Sequence, residues 1–290
     1  MGADLREGLA ALSAHGSEYA IEAGLLGVFM LVACAGSAMV NHPGSPVARR
    51  LVGPLRRRAV MGVLMGLTAV ALIYSPAGAR SGAHMNPATT LTYWLLGKVG
   101  GWDAAFYVLF QFIGGLAGVG LARVALGRVV AHPSVNFVAT VPGRRGVGAA
   151  WAGEFVIGLV LMSVVLATSN HPATAAYTGV VVGVLVAVFI VVEAPLSGMS
   201  LNPARTLGSA VAARSSRGLW VYFTAPPVGM VCAALVYTGV TGHGCVHCAK
   251  LNHPDGGACH FRCEIGGMRG AWSERVNPSA PDGIEGEGGR

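Results

Sequence analysis

Long apolar runs alternate with short polar connections along most of this 290-residue chain. Six runs, roughly 20–40, 59–79, 103–126, 150–169, 176–195 and 219–241, have the length a helix needs to span a bilayer. Crossing about 30 Å of hydrocarbon takes about 20 helical residues. Val, Leu, Ala and Gly dominate the runs, and Gly114/Gly118 and Gly179/Gly183 put small residues four apart, where helix backbones can approach closely. Two further apolar stretches, PATTLTYWLLG (87–97) and PARTLGSAVAA (203–213), are too short to span. About ten helical residues measure about 15 Å, half the hydrocarbon thickness. Each stretch is opened by Asn-Pro, a favoured N-cap followed by a favoured first helical residue. The pattern therefore predicts two half-helices that enter from opposite faces and start near the midplane.

The half-helices belong to a repeat. SGAHMNPATTL (81–91) and SGMSLNPARTL (197–207) agree at seven of eleven positions. Span, span, half-helix, span occurs once in 20–126 and again in 150–241, each time with a glutamate early in the first span, Glu22 and Glu154. Three spans per half make the second copy enter inverted, an arrangement of transporters and channels. The expected fold is an all-α membrane protein of six transmembrane helices and two re-entrant half-helices in an inverted 3+3 repeat. It occupies 19–242, after an N-terminal tail (1–18) and before a Cys/His-rich tail (243–265) and a Gly/Pro-rich end (266–290) expected to be disordered. The segment ADLREGLAALSAHGSEY reads either as an amphipathic helix on the membrane surface or as a disordered tail.

Composition agrees. The chain is 53% hydrophobic and 11% charged, with mean hydropathy +0.58, whereas soluble domains carry about 25% charged residues. The net charge of +7 comes from arginines between apolar runs, which suits a lipid bilayer rather than nucleic acid as partner. Residues 1–19 are mixed and partly acidic, so no cleavable signal peptide is expected. No Ser/His/Asp set, catalytic carboxylate pair or phosphate loop is visible, so no enzyme is expected.

Two half-helix N-termini meeting at the midplane concentrate roughly +0.5 charge each. The Asn86 and Asn202 carboxamides add N–H donors once their oxygens act as caps. Such a centre hydrogen-bonds a neutral solute and repels cations, protons included. With Arg205 following the second motif, residues 18–241 resemble the aquaporin or major intrinsic protein family. The resemblance implies a multi-pass channel of the cell membrane, a homotetramer with one pore per subunit, and no cofactor for transport. It implies a pore centre of Asn86, Pro87, Ala88, Asn202, Pro203 and Ala204, with Arg205 in a narrower outer filter. Glu22, Glu154, His84 and Gln111 match the polar residues that brace the loops, and for His84 packing or a bond to neighbouring backbone is expected rather than gating. The family's four filter positions fall on Met65, Ile190, Met199 and Arg205; without one extra residue in YSPAGARSG the first falls on Gly66. Water-selective members typically have an aromatic and a His where Met65 and Ile190 stand, whereas Thr206 and the pair Tyr222 and Phe223 match water channels. The expectation is a channel for water and small neutral solutes. The alternatives are a glycerol or other small-solute facilitator of low water selectivity, or a metal-gated channel.

The tail TGHGCVHCAKLNHPDGGACHFRC pairs Cys245 with Cys248 and Cys259 with Cys263, with His243, His247, His253 and His260 interleaved, a spacing that suits a tetrahedral zinc or other metal site; the four cysteines with His247 and His260 are the expected ligands. Disulfides, an iron–sulfur cluster or an unoccupied tail are alternatives. Cys34 and Cys232 read as packing residues within spans. The family topology places both termini in the cytoplasm, which favours reduced thiols. The five arginines between Arg49 and Arg58 instead argue for the opposite orientation by the positive-inside rule; the family orientation is adopted.

Overall fold

The computed structural model describes residues 3–254 and 259–268. Its frame is eight helices: α1 (Ala3–Asn41), α2 (Pro54–Tyr74), α3 (Pro87–Leu95), α4 (Gly101–Leu126), α5 (Gly146–Ser169), α6 (Thr178–Val192), α7 (Pro203–Ala213) and α8 (Leu219–Thr241). Among the described residues, six helical segments are long and apolar enough to cross a membrane: all of these except α3 and α7, with α6 counted from the turn at Ala175. No strand occurs among the described residues.

Two boundaries differ from the expected ones. Helix α1 begins near the N-terminus, so the leading segment is helical and joins the first span through a kink at His15 (φ −122°, ψ 15°). Asp103 at the start of α4 fixes the kink, its Oδ1 lying 2.7 Å from His15 Nδ1 and accepting the Tyr19 hydroxyl at 2.6 Å. Helix α2 lies five residues earlier than the apolar run because its first turn absorbs arginines. Arg57 donates to the carbonyls of Leu51 and Ala48, both at 3.0 Å. The helix stops at Ser75 because the following Pro76 excludes the α conformation, and Ser75 is extended (ψ 153°).

The packing has the symmetry of the repeat. Helix α1 lies on α4 as α5 lies on α8, α7 lies on α4 as α3 lies on α8, and α2 and α6 pack on each other. The α2–α6 seam is backbone to backbone: a Cβ on Gly66 would fall 2.5 Å from the Gly183 carbonyl oxygen. Gly66→Val is therefore expected to overpack the seam and to cost about 1–3 kcal/mol, read as a lower unfolding midpoint of the detergent-solubilised protein. An unchanged midpoint would show that the seam yields freely. Leucines and valines such as Leu67, Val124 and Leu235 face outward, as lipid contact requires.

Candidate pore and its supports

Each re-entrant loop is built around one buried glutamate. Glu22 accepts four hydrogen bonds: from Ser81 Oγ (2.8 Å), the amides of His84 (3.0 Å) and Met85 (2.6 Å), and Gln111 Nε2 (2.8 Å). Glu154 accepts from Ser197 Oγ (2.6 Å) and the amides of Ser200 and Leu201, both at 2.7 Å. Two tyrosines repeat the symmetry: Tyr107 donates to the Ser81 carbonyl at 2.6 Å and Tyr222 to that of Ser197 at 2.5 Å. These contacts impose a backbone that sequence alone would avoid. Gly82 (φ 97°) and Gly198 (φ 88°) take the left-handed conformation at little cost, but Ala83, Met85, Met199 and Leu201 also have φ between 49° and 60°. Non-glycine residues at positive φ are uncommon and cluster where function over-determines the backbone.

The two Asn-Pro-Ala motifs meet. Asn86 Oδ1 caps α3 on the Ala88 amide (2.9 Å), and Asn202 Oδ1 caps α7 on the amides of Ala204 (3.0 Å) and Arg205 (3.1 Å). The carboxamide nitrogens cross between the halves: Asn86 Nδ2 donates to the Leu201 carbonyl (2.9 Å) and Asn202 Nδ2 to that of Met85 (2.6 Å). An amide nitrogen carries two protons, and one N–H of each is locked across the interface. Pro87 and Pro203 occupy the first helical position, and Ala88 and Ala204 are fully buried beneath the caps.

A cavity of about 310 Å³ runs past both asparagines. Met65, Ile190, Met199 and Arg205 all line it. Gly66 does not, because it faces α6 across the seam. Arg205 is held by Nη1 donating to the Val138 carbonyl at 2.9 Å. That carbonyl comes from the turn Asn136–Val138, whose three residues all have positive φ. Thr206, Tyr222 and Phe223 are not on the wall: Thr206 bonds Thr140 and Ser200, Tyr222 holds the loop, and Phe223 stacks on Phe112. Their match to water channels therefore concerns scaffold rather than lining.

A sequence model of the family described as Major intrinsic protein matches residues 14–237. The chain belongs to the major intrinsic protein family. Aquaporin NIP1-2 of Arabidopsis thaliana is 33% identical over 221 residues, covering 74% of this chain and 72% of that protein. Aquaporin NIP1-3 of Oryza sativa subsp. japonica is 35% identical over 215 residues, covering 73% and 70%. The X-ray structure of the aquaglyceroporin from Plasmodium falciparum shares the fold, with TM-score 0.64 at 19% identity, over 78% of this chain and 97% of that one. Members of the family are passive membrane channels for water and small solutes; they are not enzymes and need no cofactor for transport.

Several residues of this major intrinsic protein carry roles that the motifs did not announce. Arg58, Ser37 and Asn41 also line the cavity, and Arg58 puts a second guanidinium there besides that of Arg205. Glu193 is buried beside Glu154, and both carboxylates contact the one hydroxyl of Ser197, at 2.8 and 2.6 Å. A single hydroxyl proton cannot serve two carboxylates at once, so Ser197 is shared between them. The first repeat has Ala77 at the corresponding place. The signal was present in EAPLSG, a carboxylate four residues before the loop serine.

His84 is buried, and one of its partners is distant in sequence. Nε2 lies 2.8 Å from the carbonyl of Ala249 in the C-terminal tail, Nδ1 lies 3.0 Å from Thr90 Oγ1, and the ring stacks on Tyr93 and Phe261. Of the six expected metal ligands, Cys248, Cys259 and Cys263 come together, and His253 joins them. Cys245, His247 and His260 lie outside that group. Cys245 bonds the Thr241 carbonyl and the His247 amide bonds Asn170. His260 Nε2 lies 2.7 Å from the Tyr107 hydroxyl, and burial pushes its imidazole down to about 4, keeping it neutral. Of the four interleaved histidines it is His253, not His247 or His260, whose ring nitrogen comes within reach of the cysteine sulfurs. From residue 269 onward, the expected disordered end lies outside the described residues.

Proposed function

We propose that the chain is a multi-pass channel of the cell membrane that conducts water and small neutral solutes in single file. Asn86 and Asn202 supply the central donors, and Met65, Ile190, Met199 and Arg205 form the filter. Four copies assemble as a homotetramer, each with its own pore, in line with the family resemblance. One observation carries this reading: a single cavity is lined by both motif asparagines and by all four filter residues. Two methionines and an isoleucine leave Arg205 as the only donor side chain among the four, so the filter orients a solute from one side and tolerates apolar carbon on the other. Such a surface favours polyols and urea beside water over water alone.

Stopped-flow light scattering on proteoliposomes tests it. Osmotic water, glycerol and urea permeabilities above those of bare lipid are expected. Glycerol and urea at the bare-lipid value, with water raised, would refute the solute claim. Ile190→His adds a donor and narrows the apolar side, and it is expected to lower glycerol permeability more than water permeability. Equal loss of both would show that Ile190 does not select.

A further inference from the structure

The chain after α8 folds back over the channel. The Leu251 amide donates to the carbonyl of Gly82 at 3.1 Å, the His84 ring bonds Ala249, and Phe261 lies flat on that ring (centroids 5.4 Å apart, planes within 2°). On the outer side of this contact, the Arg262 amide bonds the Lys98 carbonyl (3.1 Å) and Lys98 Nζ pairs with Glu264 (3.1 Å). Val246, Ala249 and Leu251 are buried, and Leu251 itself lines the pore cavity. The first re-entrant loop thus spends one of its carbonyls, Gly82, on the tail rather than on a solute.

So short a segment has little to hold it folded. Its described part contains no strand and only two short helical turns, and pieces of chain this small usually need a disulfide or a metal. Four ligand atoms converge at its centre. Those of Cys248, His253, Cys259 and Cys263 all lie within 4.8 Å of one another. Cys248 Sγ and Cys259 Sγ are 3.6 Å apart, and Cys263 Sγ and His253 Nε2 are 3.4 Å apart. A tetrahedral ion with metal–sulfur bonds of about 2.3 Å and metal–nitrogen bonds of about 2.0 Å sets its ligands about 3.5–3.8 Å apart. A disulfide requires about 2.05 Å. Three thiolates and an imidazole suit zinc among the divalent ions. Lys250, buried in the same turn, places positive charge near Cys259 to balance the anionic site.

We propose that Cys248, His253, Cys259 and Cys263 bind one zinc-class divalent ion, and that this knot holds Leu251 in the mouth of the pore, making the metal-loaded chain the closed form. Closure rests on the channel reading above; metal binding does not. Metal that binds only the docked tail, at 100 times its dissociation constant, shifts the docked-to-undocked ratio by about 100-fold.

The full-length chain tests both halves. Reduced, chelator-stripped protein in detergent is titrated with cobalt(II). One ion per chain, with thiolate charge-transfer and tetrahedral ligand-field bands that disappear in Cys259→Ser/Cys263→Ser, is expected. Absence of those bands in the wild type, iron and sulfide in the purified chain, or two cysteines fewer accessible to alkylation without reductant would each overturn the metal site. In proteoliposomes, zinc is expected to suppress osmotic flux and chelation to raise it several-fold. Leu251→Ala keeps all four ligands, so it should bind cobalt normally yet stay permeable in zinc. Cobalt binding with flux indifferent to zinc would overturn closure while leaving the site. Flux at the bare-lipid value in every arm, Leu251→Ala included, would refute the channel reading and closure with it, and cobalt binding would still decide the site.

Discussion

Glu22→Leu will leave little folded protein to purify. The substitution removes one acceptor group and strands four buried donors, Ser81 Oγ, the His84 and Met85 amides and Gln111 Nε2. Each orphan costs about 1–3 kcal/mol. Even the low end of that sum, about 4 kcal/mol, is comparable with the entire stability of a typical domain, about 5–15 kcal/mol. Because the loop residues sit at positive φ only while these bonds hold them, the re-entrant backbone should relax and the pore centre should be lost with it. Glu22→Gln preserves the shape and one acceptor oxygen, so it should fold with a lowered unfolding midpoint. Size-exclusion profiles and thermal unfolding in detergent compare the two. A Glu22→Leu protein as monodisperse as the wild type would show that the loop has another support.

Arg205→Ala will make the pore leak cations. The guanidinium lies on the cavity wall and is tied back to Val138. A unit charge about 5 Å from a passing cation, at an effective dielectric of about 20, contributes about 3 kcal/mol of repulsion. That corresponds to roughly a hundredfold in cation passage, since each 1.4 kcal/mol is about tenfold. A pH-sensitive dye trapped in proteoliposomes under an imposed proton gradient reads the change, and Arg205→Lys should restore most of the barrier by keeping the charge. A proton leak no greater than the wild type's would assign cation exclusion to the half-helix N-termini and to Arg58.

The repeat made the membrane architecture readable before any coordinates. Its information is local and categorical: an apolar run of spanning length, an Asn-Pro start, a glutamate in the first span. The kink in α1 and the start of α2 were less readable, because they are set by Asp103 beside His15 and by carbonyls that satisfy Arg57, partners far off or hidden within a loop. The two Asn-Pro-Ala motifs of the candidate pore centre stood out for the same reason as the fold. Their cross-bonding did not, since Leu201 and Met85 contribute carbonyls, and a carbonyl has no letter in a sequence. That Met65 rather than Gly66 lines the cavity follows from the rotation of α2, which a single inserted residue in the following turn obscures. The tail was read as a cluster but not by membership: which histidine turns inward depends on how Ala249 and Phe261 lie against His84 of the first loop.

The exchange of bonds between Asn86 and Leu201, and between Asn202 and Met85, also has a consequence for biosynthesis. Asn86 must wait for a partner 115 residues further along the chain. At about 5–20 residues per second, that is a delay of roughly 6–23 seconds during which the first loop has been made and its counterpart has not. Until then its spare carbonyl and amide need water or the insertion machinery, so the first half enters the bilayer unfinished. The second half completes both loops at once, and the pore is born in a single late step rather than built up span by span.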